Sequence, residues 1–197
     1  MINLNSARLA WHDAFYSPWD SLGAQMEQLA RLGCGVQETS RRSSCRRAFH
    51  QAVAGRIQNA IAALPEHLQA FGNHLYNPLS GVDDREAVEE WVWCLACRAL
   101  PRMTARKFYK ARFVACAVVL RYRRINQGGQ GAGQDPLPNA EAMRKWILDT
   151  CGVALVGDQW ARDWGRFVEQ CFAVCDRLDR EALLPVAGVL SRVRLSA

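Results

Sequence analysis

Apolar residues recur in this chain at intervals of three and four rather than alternating, and that spacing constrains its fold more than any other feature. Phe108, Ala111, Ala115, Val118, Tyr122 and Ile125 fall on one helical stripe, as do Phe49, Val53, Ile57, Ala60 and Ile61. A third stripe runs through Trp160, Trp164, Phe167, Cys171, Val174 and Leu178. The one short run with strand character, VALV at 153–156, has no companion to pair with. The expected fold is therefore all-α, an irregular helical bundle. Half of the 197 residues are apolar, enough for one good core or two small ones.

Caps and breakers divide the helical pattern. Ser17-Pro18 reads as an N-cap followed by a first-turn proline, with Leu22, Met26, Leu29 and Ala30 on one face until Gly33. A second helix runs from about Ser43 to Leu64, and Pro65 opens a shorter one that stops at Asn77-Pro78. Residues 83–100 begin with acids and end near Arg98, the polarity that a helix dipole favours. After Pro101, Thr104 caps a helix reaching about 126. The run QGGQGAGQDPLP at 127–138 reads as a linker, giving an expected division into a basic helical domain at 1–126 and a helical subdomain at 139–197. In the latter, Asn139 caps one helix, Asp158 caps a long one, and a last amphipathic piece surrounds Pro185.

The formal net charge of +6 is unevenly spread. Residues 83–90 carry five acids and one base, whereas 91–134 carry nine bases and no acid. A field of one sign concentrates polyanions and speeds their encounter. Two candidate phosphate-binding features stand out. Arg41, Arg42, Arg46 and Arg47, in SRRSSCRR, lie where a loop enters a helix, so guanidinium forks and free helix amides could address phosphate together. Four cations at the positive end of a helix are otherwise misplaced. The second feature is the pair of helices joined at Leu100–Met103, a candidate embedded helix-turn-helix. Its second helix and the turn before it carry Arg102, Arg106, Lys107, Lys110, Arg112, Arg121, Arg123 and Arg124. Arg106, Lys110, Ala117, Arg121 and Arg124 share a face, so the end cations would stand about 22 Å apart. The apolar VACAVVL in the middle argues instead for a central helix with only its ends exposed, in an antiparallel hairpin.

Other chemistries find little support. Cys94 and Cys97 have metal-ligand spacing but sit in a helix beside Trp91 and Trp93 with no second Cys-x-x-Cys, and Cys171 and Cys175 are one turn apart on another. His12, His50, His67 and His74 are scattered. Core thiols are the expectation, with no metal and no cofactor. Neither a Gly-x-Ser-x-Gly elbow nor a Walker loop is present, and the expectation is a protein that is not an enzyme. No run is long and apolar enough for a membrane span, and the opening MINLNSARLAWHD lacks a signal-peptide layout, which makes the cytoplasm the expected compartment.

Trp11 and Trp19, the segment Ser40, Arg41, Ser43, Ser44 and Cys45, and the amphipathic region from Ile57 to Leu75 together resemble the layout of the Q-type late-gene antitermination proteins of lambdoid phages. Arg46-Arg47 stands where that pattern has acids, and the C-terminal helical portion is longer. The resemblance implies a regulator that binds double-stranded DNA and is loaded onto host RNA polymerase to carry it through terminators. The alternative is a protein-protein adaptor that grips an acidic host surface with the same cations and an aromatic anchor such as Trp19 or Trp93.

Overall fold

The computed structural model describes residues 2–16, 41–100, 103–127, 135–157 and 159–195, with backbone alone at 41–44, 46 and 47; among them are seven α-helices and no strand. The fold is all-α. The expected helix after Ser17 and the expected cap Asp158 lie outside the described residues.

The chain forms two compact units, one of residues 1–64, 76–79 and 183–197, the other of 65–75 and 80–182. The expected division at 127–138 is not where the units part. Asp135 and Leu137 show why: Asp135 pairs with Arg121, and Leu137 is buried, so the far end of that Gly- and Gln-rich run is tied down.

In the first unit, α1 (Ala7–Phe15) starts at Ser6, whose hydroxyl accepts from the Leu9 amide at 3.4 Å. It buries Ala10, Trp11 and Ala14. The long helix α2 (Arg41–Ala62) buries Val53, Ala54, Ile57 and Ile61, one stripe at helical spacing. Gln58 Nε2 donates to the Ala14 carbonyl at 2.7 Å, satisfying one of the acceptors that the end of α1 leaves open. Trp11 packs against Tyr76 with ring centroids 6.2 Å apart.

The second unit takes most of α3 (Glu66–Tyr76), then α4 (Val82–Arg98), α5 (Ala105–Asn126) and α6 (Ala140–Cys151). Thr104 and Asn139 cap α5 and α6 through the amides of Lys107 and Ala142, as their positions predict. Helix α6 ends on Gly152 in the left-handed region, φ +67°, a conformation that lets its N–H reach the Leu148 carbonyl at 3.0 Å. Helix α5 is the centre of the unit: Ala111, Val114 to Val119 and Tyr122 are all buried.

A π-helical turn (Ala161–Gly165) leads into α7 (Arg166–Leu195), a single helix where two pieces are expected. Pro185 lies inside it without breaking it. Lacking an N–H, Pro185 leaves the Glu181 carbonyl unpaired within the helix, at a cost of about 3 kcal/mol. Val186, Val189, Leu190 and Val193 continue the buried stripe beyond it, and burying each contributes roughly 1.5–3 kcal/mol, which outweighs that loss.

Candidate nucleic-acid interface

Helices α4 and α5 pack side by side from Trp93 and Phe108 to Glu89 and Cys116. Trp93 stacks on Phe108 at 4.7 Å, Arg112 lies 3.7 Å from Glu90, and the Cys116 thiol donates to Glu89 at 3.2 Å. These pairs step backwards along α4 as they step forwards along α5, which is the register of an antiparallel hairpin. The last of them is about 14 Å along α4 and 16 Å along α5 from the connection, where helices crossing at a right angle would stand roughly 20 Å apart. The contacts are those of the antiparallel hairpin, and none of them bears out the candidate helix-turn-helix.

The cations expected on α5 are mostly held within the unit. Lys110 Nζ donates to the Ala154 carbonyl at 2.8 Å, and Lys107 lies over the buried Trp164 ring at 5.4 Å. Arg112 sits over Trp93 at 6.0 Å beside Glu90. Arg121 grips Asp135 through two nitrogens, at 2.8 and 2.9 Å, and covers Phe172 at 5.5 Å. Arg106 and Arg124 are exposed and unpaired among the described residues, whereas Arg123 is half-buried. Ala117, midway along the expected cationic face, is fully buried. That face is therefore interrupted, and α5 does not offer a continuous row of cations to a groove.

Arg102 and the side chains of Arg41, Arg42, Arg46 and Arg47 lie outside the described residues, but the backbone places those four positions in the first two turns of α2. Helix α2 carries no acid in 22 residues. Positions 42, 45, 49, 52 and 56 follow one face at three- and four-residue spacing over about 21 Å, and Cys45, Phe49, Ala52 and Arg56 on it are exposed. Beside Arg56, an open cleft of about 420 Å³ is lined by Arg56, Asn59 and Ala60 of α2 and by Val189 and Arg192 of α7, all in the first unit. Arg56 and Arg192 escape a reading of the sequence because they are 136 positions apart; the three- and four-residue spacing back to Arg42 was the available signal for Arg56.

The division of charge agrees with this placement. The first unit has nine Lys and Arg against four Asp and Glu, a net +5, and the second sixteen against fifteen, a net +1. The basic block at 91–134 is thus balanced by acids that the fold returns to the same unit, while the first unit keeps its excess.

Remaining polar groups are arranged for packing. Burial, then the neighbouring Cys94, raises Cys97 to about 11, and burial likewise raises Cys94, Cys116, Cys151, Cys171 and Cys175, so these thiols stay protonated. Among the described residues no three His, Cys, Asp or Glu converge on a metal position. Tyr122 donates to Asp176 at 2.9 Å and stands 3.4 Å from the buried Asp179; burial and these two carboxylates hold the phenol protonated. No described helix is long and apolar enough to cross a membrane. No family model matches the chain, and neither does any curated protein or solved structure.

Proposed function

We propose that the chain is a regulator that binds double-stranded DNA through the first unit, with helix α2 laid along the phosphate backbone. The observation that carries this is the +5 excess of that unit, concentrated on a helix with five arginines and no carboxylate and flanked by a cleft with two guanidinium walls. Arginine forks along α2 supply affinity and set register through phosphates. Antitermination, with host RNA polymerase as second partner, is the biological role that the likeness of residues 40–77 to the Q-type proteins suggests for such a regulator.

A mobility assay with duplex DNA across a salt series tests the reading. Log affinity is expected to fall against log salt with a slope of about −0.9 per phosphate contact, and the double substitution Arg42→Ala, Arg56→Ala, at the two arginine positions of the outward face, to weaken all duplexes alike and shallow the slope by roughly 1.8. Retention indifferent to salt, or a double variant that binds like the parent, rejects it. One observation favours the adaptor instead: Trp93, Phe108, Tyr109 and Arg112, residue types that dominate protein interfaces, form a partly exposed cluster on the hairpin. A partner retained after nuclease treatment and lost with Phe108→Ala supports that second reading.

A further inference from the structure

In the second unit, the end of α3, the first turns of α4 and the last turns of α5 come together. Gln127 donates to the Leu75 carbonyl at 3.3 Å, and the Phe71 and Tyr122 rings are 6.3 Å apart. This junction gathers three cations and an imidazole. Arg85 comes from α4, Arg123 and Arg124 from α5, and His74 from α3.

Several of its polar atoms are buried without a partner. His74 is 3% exposed, yet its Nδ1 makes no hydrogen bond. The Nε of Arg123 is buried and unbonded, and so is Asn73 Oδ1 on the adjacent position of α3. Native proteins pair such groups almost without exception, and an orphaned set marks the place of a water or an ion. The charge of the set decides which. Burial first, then Arg123 and Arg85, makes His74 harder to protonate, and burial, then Arg124 and Arg85, does the same to Arg123. Of the nearby acids, Glu89 pairs with Arg85 and none is bonded to Arg123 among the described residues. Asp84 accepts from Ser80 at 3.2 Å, and Glu89, 3.8 Å from Arg85, also accepts the Cys116 thiol. Asp83 is exposed. A half-buried guanidinium with two like charges beside it and, among the described residues, no carboxylate of its own calls for a counter-ion.

We propose that Arg123, Arg85 and His74 form a binding site for one phosphate-type oxyanion, distinct from the α2 surface. The Arg123 fork, with its unbonded Nε, meets two oxygens, and the neutral His74 imidazole donates from Nδ1 to a third. Arg85 closes the site from α4 with a second positive charge. The ligand is either free phosphate or a phosphate of a polynucleotide. Because this site lies in the other unit, it stands or falls independently of the α2 surface.

Titration of the full chain with inorganic phosphate, at ionic strength held constant with sodium chloride, tests the site by thermal midpoint and by the ring resonances of isotope-labelled His74. A saturable rise in Tm with a saturable movement of the His74 signal is expected. Arg123→Met should abolish both, while unfolding in phosphate-free buffer at a temperature no lower than the parent, because it removes an unpaired buried cation. Arg85→Gln should weaken phosphate roughly tenfold. A duplex that moves the His74 signal in place of phosphate identifies a backbone phosphate as the occupant, and one that leaves it unmoved identifies free phosphate. A response that never saturates, meaning an adventitious ion only, or an unaltered response in Arg123→Met, overturns the proposal.

Discussion

Lowering the pH should destabilise this protein through His74 in particular. Loss of water around the buried ring, then the like charges of Arg123 and Arg85, lower its pKa from the ordinary 6.5 to about 4. The unfolded chain therefore takes up the proton first. His74 costs nothing above pH 6.5, and its penalty grows as pH falls from there and levels off below about 4. With one pKa step equal to about 1.36 kcal/mol, the native state loses about 2 kcal/mol between pH 7 and pH 5, and about 3 by pH 4, from this residue alone. Urea denaturation in phosphate-free buffer at pH 7, 6 and 5, on the parent and on His74→Gln, isolates the effect. His50, lowered in the same direction by burial and the N-terminal charge, contributes equally to both proteins and drops out of the difference. The parent is expected to lose about 2 kcal/mol more than the variant by pH 5. Parallel stability profiles would refute the reasoning, since they require an imidazole as easily protonated in the fold as in water.

Two further substitutions test the packing. Gly152→Ala forces a side chain into the left-handed region at φ +67°, where nothing crowds the new Cβ, so the cost should be backbone strain of about 1 kcal/mol and a Tm lower by roughly 2–4 °C in calorimetry. Tyr122→Phe removes the donor that reaches Asp176 and the buried Asp179, and should cost about 1.5–3 kcal/mol in urea denaturation at neutral pH; a loss below about 0.5 kcal/mol contradicts the assignment of that hydroxyl.

The helices were legible where local chemistry decides them. Thr104 and Asn139 cap as expected, and Asn77-Pro78 ends α3. Pro185 was misleading because the burial that carries α7 past it is tertiary, and no local rule weighs Val189 or Leu190 against a missing N–H. The run at 127–138 has linker composition, but Arg121 holds Asp135 from fourteen positions away. The partners of the basic block were hidden in the same way. Nine bases without an acid look like a surface field until the fold brings Glu90 to Arg112 and Asp135 to Arg121. The orphaned polar atoms of His74 and Arg123 had no counterpart in the sequence, because the burial that defines them depends on three helices meeting.

Whether a cation is presented or spent at home decides what it can do for an incoming polyanion. At physiological salt a charge is screened beyond about 8 Å, so a phosphate responds to the excess charge presented close to it and hardly to charges on the rest of the chain. Lys110 would have to abandon its 2.8 Å bond to Ala154 to make such a contact, whereas Arg56 is exposed on the face that α2 turns outward. Lys110→Met is therefore expected to change duplex affinity less than twofold and to leave the salt slope as it is. Arg56→Gln is expected to weaken the duplex severalfold and to shallow the slope by roughly 0.9, one contact's worth. Measured together in one salt series, equal losses from the two variants would mean that α5 reaches the phosphates after all, and that the excess charge of the first unit is not what holds the nucleic acid.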